Sequence, residues 1–239
     1  YFFFSRYFSM EQTLISQPSI QIDQSLQGTV RLASFAVESL RIGRGENLWN
    51  NLFEPLCSEL FDRYGEPTIS HVPGIERARD LYKAIGIDPT RWRPASEALI
   101  RRVIKGKPLY RINSLVDTIN YCSLYYLLPL GLFDLDRIGG DRITLRKGLP
   151  GESFGGIRKD QVNVAGRYTL ADLAGPFGSP TSDSERTAIR EDSERALVVI
   201  YAPSSLQKTE LETLARFTAE KVEQYGGGLP RSGDVSIAG

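Results

Sequence analysis

Helix-like periodicity is concentrated in residues 46–128 of this chain, with strand-like segments on both sides of it and one further helix at 205–224. That segregation limits the fold more than any other feature. Before it, Ile20, Ile22, Val30, Leu32, Ala33, Phe35, Val37, Leu40 and Ile42 recur as in strands, and Gln27-Gly28 suits a hairpin-like connection. The first helix is predicted over 46–64, apolar at Leu48, Leu52, Phe53, Leu56, Leu60 and Phe61, and ended by Gly65 and Pro67. The second covers 74–85, with Ile75, Ala78, Leu81, Ala84 and Ile85 inward, and the third covers 95–105. The fourth covers 113–128 and stops at Pro129, which cannot continue a helix. Beyond Pro129, short strands are expected at 143–146, 161–164, 167–170 and 196–201. Gly139-Gly140 and Gly155-Gly156 read as turns, and a helix follows at 205–224. This order predicts an α+β fold whose sheets are closed by a helical insert.

The expected division is an N-terminal arm at 1–17, one domain at 18–225 and a flexible tail at 226–239, opened by Gly226-Gly-Gly. Met10 is the only methionine. The aromatic run from Tyr1 to Phe8 therefore reads as sequence upstream of a start at Met10, or alternatively as an arm that docks on a partner.

The fourth helix carries a polar stripe. Asn113, Asp117 and Asn120 stand at i, i+4 and i+7, on one helical face, among Leu115, Val116, Ile119, Tyr121 and Leu124. An unpaired buried polar group costs roughly 1–3 kcal/mol, so such a stripe needs partners. It either pins the local backbone or lines a pocket.

Lys+Arg and Asp+Glu are both 29, so any nucleic-acid contact requires a local patch rather than a basic molecule. One candidate is the segment 91–111. It holds Arg91, Arg93, Arg101, Arg102, Lys105, Lys107 and Arg111 against the single acid Glu97, with Trp92 and Tyr110 interleaved. Cations displace counterions from a phosphate backbone and rings stack on bases; the plainer alternative is a solvated helix face. The second candidate is 175–187. There Gly175 and Gly178 allow tight backbone that can hold an anion, and Thr181, Ser182, Asp183 and Arg186 offer hydroxyls, a carboxylate and a guanidinium; the alternative is a surface loop.

Other chemistry finds little support. Cys57 and Cys122, the only cysteines, read as buried thiols of a reducing cytoplasm, and with the single histidine His71 they make no metal site. A Ser-His-Asp triad would have to use His71, which reads as a core or loop residue. No run of about 18 apolar residues suggests a membrane span. No dinucleotide fingerprint or Walker loop is present, and no cofactor is expected.

The pattern Asn-x-x-Val-Asp-x-x-Asn-Tyr at Asn113, Val116, Asp117, Asn120 and Tyr121 is followed after eight residues by Pro129-Leu-Gly131-Leu-Phe133-Asp134. Arg137-Ile138, Gly140, Arg146 and Gly151-Glu152 continue it, and 174–187 adds a glycine-rich region running into Ser-Pro-Thr-Ser-Asp-Ser. Over about 108–202 the chain resembles the B3/B4-type domain of the phenylalanyl-tRNA synthetase beta subunit, and especially standalone proteins made mainly of that domain. The resemblance implies a three-layer fold with a β-sandwich core and attached helices. It also implies a pocket that, in the synthetase, hydrolyses tRNA mischarged with tyrosine. The family's histidine aligns with Gly131 and its tyrosine-reading glutamate with Pro180. Its arginine aligns with Tyr110, one position from Arg111. Glycine and proline supply neither a donor nor a carboxylate, so the tyrosine chemistry is not expected.

The expected function is therefore a cytoplasmic, tRNA-associated protein that checks or hydrolyses mischarged aminoacyl-tRNA in trans. The alternative is a non-catalytic binding module for an amino-acid-like ligand or RNA. Neither DNA nor a membrane is an expected partner. Asn113, Asp117 and Asn120 on the helix, with Gly131 and the 175–187 residues named above, are expected to converge on one substrate pocket.

Overall fold

The computed structural model describes residues 17–65, 69–157, 159–231 and 235–239. Its centre is a five-stranded sheet. β2 (Val30–Glu38) pairs antiparallel with β9 (Ala196–Pro203) in a register running from Val30↔Pro203 to Val37↔Ala196. β3 (Leu130–Asp134) pairs antiparallel with the far side of β9. Every residue of β9 is buried, so this strand reads as a continuous apolar run with no alternation.

Alternation along these strands sorts side chains onto two faces. Ala33, Phe35 and Val37 of β2, Ala196, Val198, Ile200 and Ala202 of β9, and Leu132 of β3 face a helical layer. That layer contains α5 (Ser114–Tyr126), which brings Leu115, Ile119 and Cys122, and α6 (Lys208–Lys221), which brings Leu211, Ala215 and Ala219. On the opposite face Val30, Leu32, Ala36, Leu197, Val199, Tyr201 and Phe133 meet a second sheet through its Ile143, Leu145, Tyr168, Leu170 and Phe177. The second sheet has the order β1 (Ser19–Ile22), β4 (Arg142–Lys147), β7 (Tyr168–Asp172), β8 (Gly175–Gly178). Three layers result: helices, five-stranded sheet, four-stranded sheet. Each fully buried Leu, Val or Phe contributes roughly 1.5–3 kcal/mol, so the two faces of β9 anchor the fold.

The predicted helices form. The first is a continuous run of α1 (Glu46–Leu48), a π-helical stretch at Trp49–Phe53, and α2 (Glu54–Tyr64), which buries no side chain completely. α3 (Ile75–Lys83) places Ile75 in the helix-side core and Leu81 and Tyr82 in the sandwich core. α4 (Ala95–Val103) completes the insert.

Three expectations fail. β1 and β2 do not form a hairpin: β1 runs parallel to β4 in the second sheet. Asp23 caps a short 3-10 turn at Gln24–Leu26, Leu26 enters the sandwich core, and the chain crosses from one sheet to the other. Gly155-Gly156 is not a turn; it lies in β5 (Ser153–Gly156), which pairs with β6 (Lys159–Asn163). The tail is not loose at every position. β10 (Leu229–Pro230) and β11 (Ser236–Ala238) both pair antiparallel with β2, and Arg231 forms a 2.9 Å ion pair with Glu38. Backbone pairing to an open strand edge outweighs a glycine-rich composition there.

Gln17, assigned by composition to the arm, also joins β2. Its amide donates to Ser34 Oγ and accepts from the Ala36 N–H, each at 3.0 Å. Met10, the aromatic run before it, and Pro67 lie outside the described residues.

Candidate ligand and nucleic-acid site

The polar stripe on α5 is a brace. Asn113 is the N-cap, and its Oδ1 accepts the Val116 N–H at 2.9 Å, satisfying one of the unpaired donors of a helix start. Asp117 is buried. It accepts the Trp49 Nε1–H at 2.7 Å and the Ile112 N–H at 3.0 Å. Burial raises its carboxyl pKa, and the Trp49 and Ile112 hydrogen bonds with the charge of Arg111 work against that rise. Next to it, Ser114 Oγ accepts from Gly43 N and donates to Gly226 O. Asn120 is half-buried on the same helix. Asp117 and Ser114 together tie the start of α5 to Trp49, Gly43 and Gly226. Beside Trp49 an open groove of about 730 Å³ separates α2 from residues 103–111, with Cys57, Phe61 and Leu109 on its apolar side.

The 175–187 segment lies elsewhere. It includes β8 of the four-stranded sheet, on the face opposite to α5, so the two segments expected to share one pocket are separated by the five-stranded sheet. The cause is the strand alternation of β3. It follows α5 directly, sends Leu132 toward the helices, and turns Gly131 and Phe133 toward β8.

Part of the expected set does meet on that second face. A Cβ at Gly131 would stand 2.7 Å from the Phe133 ring, and one at Gly178 would stand 2.5 Å from it. The same ring packs edge-on against Phe177 at 4.9 Å. The Asp183 carboxyl turns inward beside Gly178 and accepts the Leu132 N–H; burial pushes its pKa up to about 8. Above it the Tyr201 hydroxyl is fully buried and has no hydrogen-bond partner among the described residues. Burial, then the nearby Asp183 and Tyr82, push this phenol above its ordinary range. Tyr82 OH hydrogen-bonds to Thr181 Oγ1. Ser179 Oγ accepts from the Ser182 N–H at 3.1 Å and donates to the Ser182 carbonyl. A cavity of about 10 Å³, room for one water, remains between Tyr82, Arg167, Tyr168, Ser179, Pro180 and Thr181. Gly175, at φ +111°, makes the turn from β7 into β8. Arg186 is committed to structure, gripping Asp172 through two 2.9 Å hydrogen bonds.

Much of the basic strip is committed as well. Glu97 is fully buried. Arg79 and Arg101 hydrogen-bond to it at 2.7–3.0 Å, and Arg93 stands 3.8 Å away. Burial pushes the Glu97 carboxyl up, but the hydrogen bonds and charges of Arg79 and Arg101 together hold it below its usual range. Arg102 donates to the Pro108 carbonyl and covers the Tyr110 ring, while Arg111 pairs with Glu54 over the Trp49 ring. Arg91, Lys105 and Lys107 remain exposed. His71 sits exposed in a 3-10 turn. Cys57 and Cys122 are free thiols, pushed up by burial to about 11 and about 12, a poor setting for a nucleophile.

Sequence reasoning missed Tyr82, Arg167 and Tyr201. Each sits in a segment that reads as ordinary helix or strand, and only the fold makes them neighbours.

The sequence profile of the B3/4 domain matches residues 77–224. The chain belongs to the B3/4 domain family. Among its relatives, the phenylalanine–tRNA ligase beta subunit of Geobacter metallireducens is 29% identical over 167 residues, covering 62% of this chain and 20% of that one. The beta subunit of Anaeromyxobacter dehalogenans is 30% identical over 121 residues, covering 48% and 15%. The chain thus spans about a fifth or less of the length of these relatives. A crystal structure of an N-terminal fragment of the Pyrococcus horikoshii phenylalanyl-tRNA synthetase beta subunit aligns with 93% of this chain and 51% of that one, with TM-score 0.44 and 14% identity. The two positions aligned by pattern with a histidine and a glutamate, Gly131 and Pro180, are both packed into the structure of this domain. Phe133 fills the space over Gly131, and the Pro180 carbonyl accepts the Ala95 N–H at 3.0 Å.

Proposed function

We propose that this B3/4 domain protein is a tRNA-binding module of the cytoplasm that does not hydrolyse tyrosyl-tRNA. The observation that carries the reading is the Phe133 ring packed over Gly131 and Gly178, with about 10 Å³ of cavity beside the 179–181 loop. A space for one water is too small for a phenol side chain, and no side chain at 131 or 180 offers the donor or carboxylate that would recognise one. Family membership supports tRNA as the partner, since the related proteins are beta subunits of a tRNA ligase. The alternatives of a free amino-acid-like ligand and of aminoacylation draw no support from the cleft.

A second reading, deacylation of tRNA carrying a smaller amino acid, is favoured by the Asp183–Tyr201 pair. Burial raises the Asp183 carboxyl to about 8, and the Tyr201 hydroxyl has no partner among the described residues. Both lie buried behind the one-water cavity, so this reading requires the sandwich to open before they can orient water and an ester carbonyl. In that reaction water attacks the carbonyl carbon, its bond to the ribose oxygen breaks, and free amino acid and tRNA hydroxyl result.

One experiment separates the readings: saturation binding of tRNA together with deacylation of a panel of mischarged tRNAs. Saturable binding with acyl groups retained is the expected result. Turnover above the spontaneous rate that Asp183→Asn abolishes selects the second reading. Failure to bind any tRNA overturns both.

A further inference from the structure

Arg167 immediately precedes β7 and belongs to neither the basic strip nor the cluster at Phe133. Its guanidinium lies 3.9 Å from the centroid of the Trp92 ring, on the loop before α4, and Arg91 approaches the same ring at 5.7 Å. Trp92 is 38% exposed, whereas the other tryptophan, Trp49, is 4% exposed. Among the described residues Arg167 has no acidic partner. Burial lowers its pKa, and the one opposing influence is the Tyr82 hydroxyl. A half-buried guanidinium gives up hydration and ordinarily recovers it from a carboxylate or phosphate. The other half-buried arginines described have such a partner or a carbonyl; Arg79 and Arg101 have Glu97, Arg102 has the Pro108 carbonyl, Arg146 has Glu152 and Arg186 has Asp172, for example.

Four hydroxyl-bearing side chains stand on the inner side. Arg167 lines the one-water cavity with Tyr82, Tyr168, Ser179 and Thr181. The rim is held in place because the Pro180 carbonyl accepts the Ala95 N–H and the Asp88 carbonyl accepts the Trp92 N–H. Arg91 has Asp88 close by, so Arg167 is the principal unneutralised charge of this corner.

We propose that Arg167, Trp92 and Arg91 form a nucleotide platform. Arg167 binds a phosphate oxygen, and the exposed part of the Trp92 ring carries an adjacent base. A planar cation fixed beside an aromatic ring that is open to solvent matches a phosphate followed by a flat heterocycle, and single strands present that sequence at every residue. The identity of the strand as tRNA rests on the function proposed above; the platform itself does not.

The test is a titration of the full chain, followed by tryptophan emission, with adenosine 5′-monophosphate, adenosine, inorganic phosphate and whole tRNA. Quenching by the nucleotide that adenosine alone does not match is expected, because the phosphate anchors the base. Arg167→Gln is expected to weaken nucleotide and tRNA binding about tenfold and to lower the salt slope of tRNA binding by about 0.7, the share of one single-strand phosphate contact. Trp92→Leu, followed by anisotropy of labelled tRNA, is expected to weaken binding at least fivefold. Should Arg167→Gln fail to fold, Trp92→Leu and Arg91→Gln carry the test from the exposed side. Unchanged tRNA affinity in a folded Arg167→Gln or Trp92→Leu variant overturns the platform while leaving tRNA binding in place. Nucleotide binding without tRNA binding keeps the platform and removes the tRNA reading.

Discussion

The Trp49 indole donates a 2.7 Å hydrogen bond to the Asp117 carboxylate inside the helical layer, joining residues 68 positions apart. The same carboxylate receives the Ile112 N–H, so its loss leaves two donors without an acceptor. Asp117→Ala is expected to lower unfolding free energy by about 2–6 kcal/mol, the sum for two orphaned buried groups. Asp117→Asn, which keeps an acceptor, should lose less than half of that. Urea unfolding measures both, and tRNA affinity of the folded variants should match the parent protein.

Asn113 works through its backbone neighbours. Asn113→Ala removes the cap from α5 and should destabilise by about 0.5–2 kcal/mol, while Asn113→Asp or Asn113→Ser restores most of the loss. Thermal melting of the three variants checks the ranking. An alanine variant as stable as the parent would show the cap to be dispensable.

Asp183 and Glu97 titrate in opposite senses. The folded Asp183 carboxyl binds its proton more tightly than the unfolded one, with about 8 against 3.8. Its contribution is therefore fully present below pH 3.8 and is lost as pH rises toward 8. Asp183→Asn should flatten that decline, and its melting temperature should exceed that of the parent most clearly near pH 8. Glu97 is held below its usual range by Arg79 and Arg101 after overcoming burial, so its contribution is present above that range and is lost on acidification. Melting curves at several pH values read both slopes.

Removing Glu97 also strands its arginines. Glu97→Ala leaves Arg79, Arg93 and Arg101 around an empty buried position and should cost about 3–5 kcal/mol, or prevent folding. Arg93→Ala removes only the 3.8 Å member and should cost under about 1 kcal/mol.

Phe133 decides how much room the sandwich leaves. Gly131→Ala should cost about 1–3 kcal/mol through overpacking against its ring. In the combination with Phe133→Ala the two effects should not add, because the ring that clashes is gone. Additive losses in chemical denaturation would show that Gly131 is constrained by something other than Phe133.

The layers were readable because the apolar residues at 30–37 and 115–124 recur at strand and helix spacing and 196–202 is an unbroken apolar run, as a strand buried on both faces requires. The paired motif at 113–134 also identified the family without the fold. Short strands such as Gly175–Gly178 escaped, since four residues rich in glycine and proline carry no period and owe their conformation to β7. The shared pocket failed for a geometric reason. Sequence spacing places Gly131 near α5, but only the pleat of β3 decides that Gly131 points away from it. Arg167 was invisible because its meaning depends on the absence of a carboxylate nearby, which no linear pattern records.

Both closing strands, Leu229–Pro230 and Ser236–Ala238, lie along one flank of Val30–Glu38. A stop codon before position 229, or a bulky purification tag that pulls those residues away, would uncover the backbone edge of this strand at Leu32–Ser34 and Val37–Glu38. Such a version should come off a sizing column as multimers, through self-association along that edge.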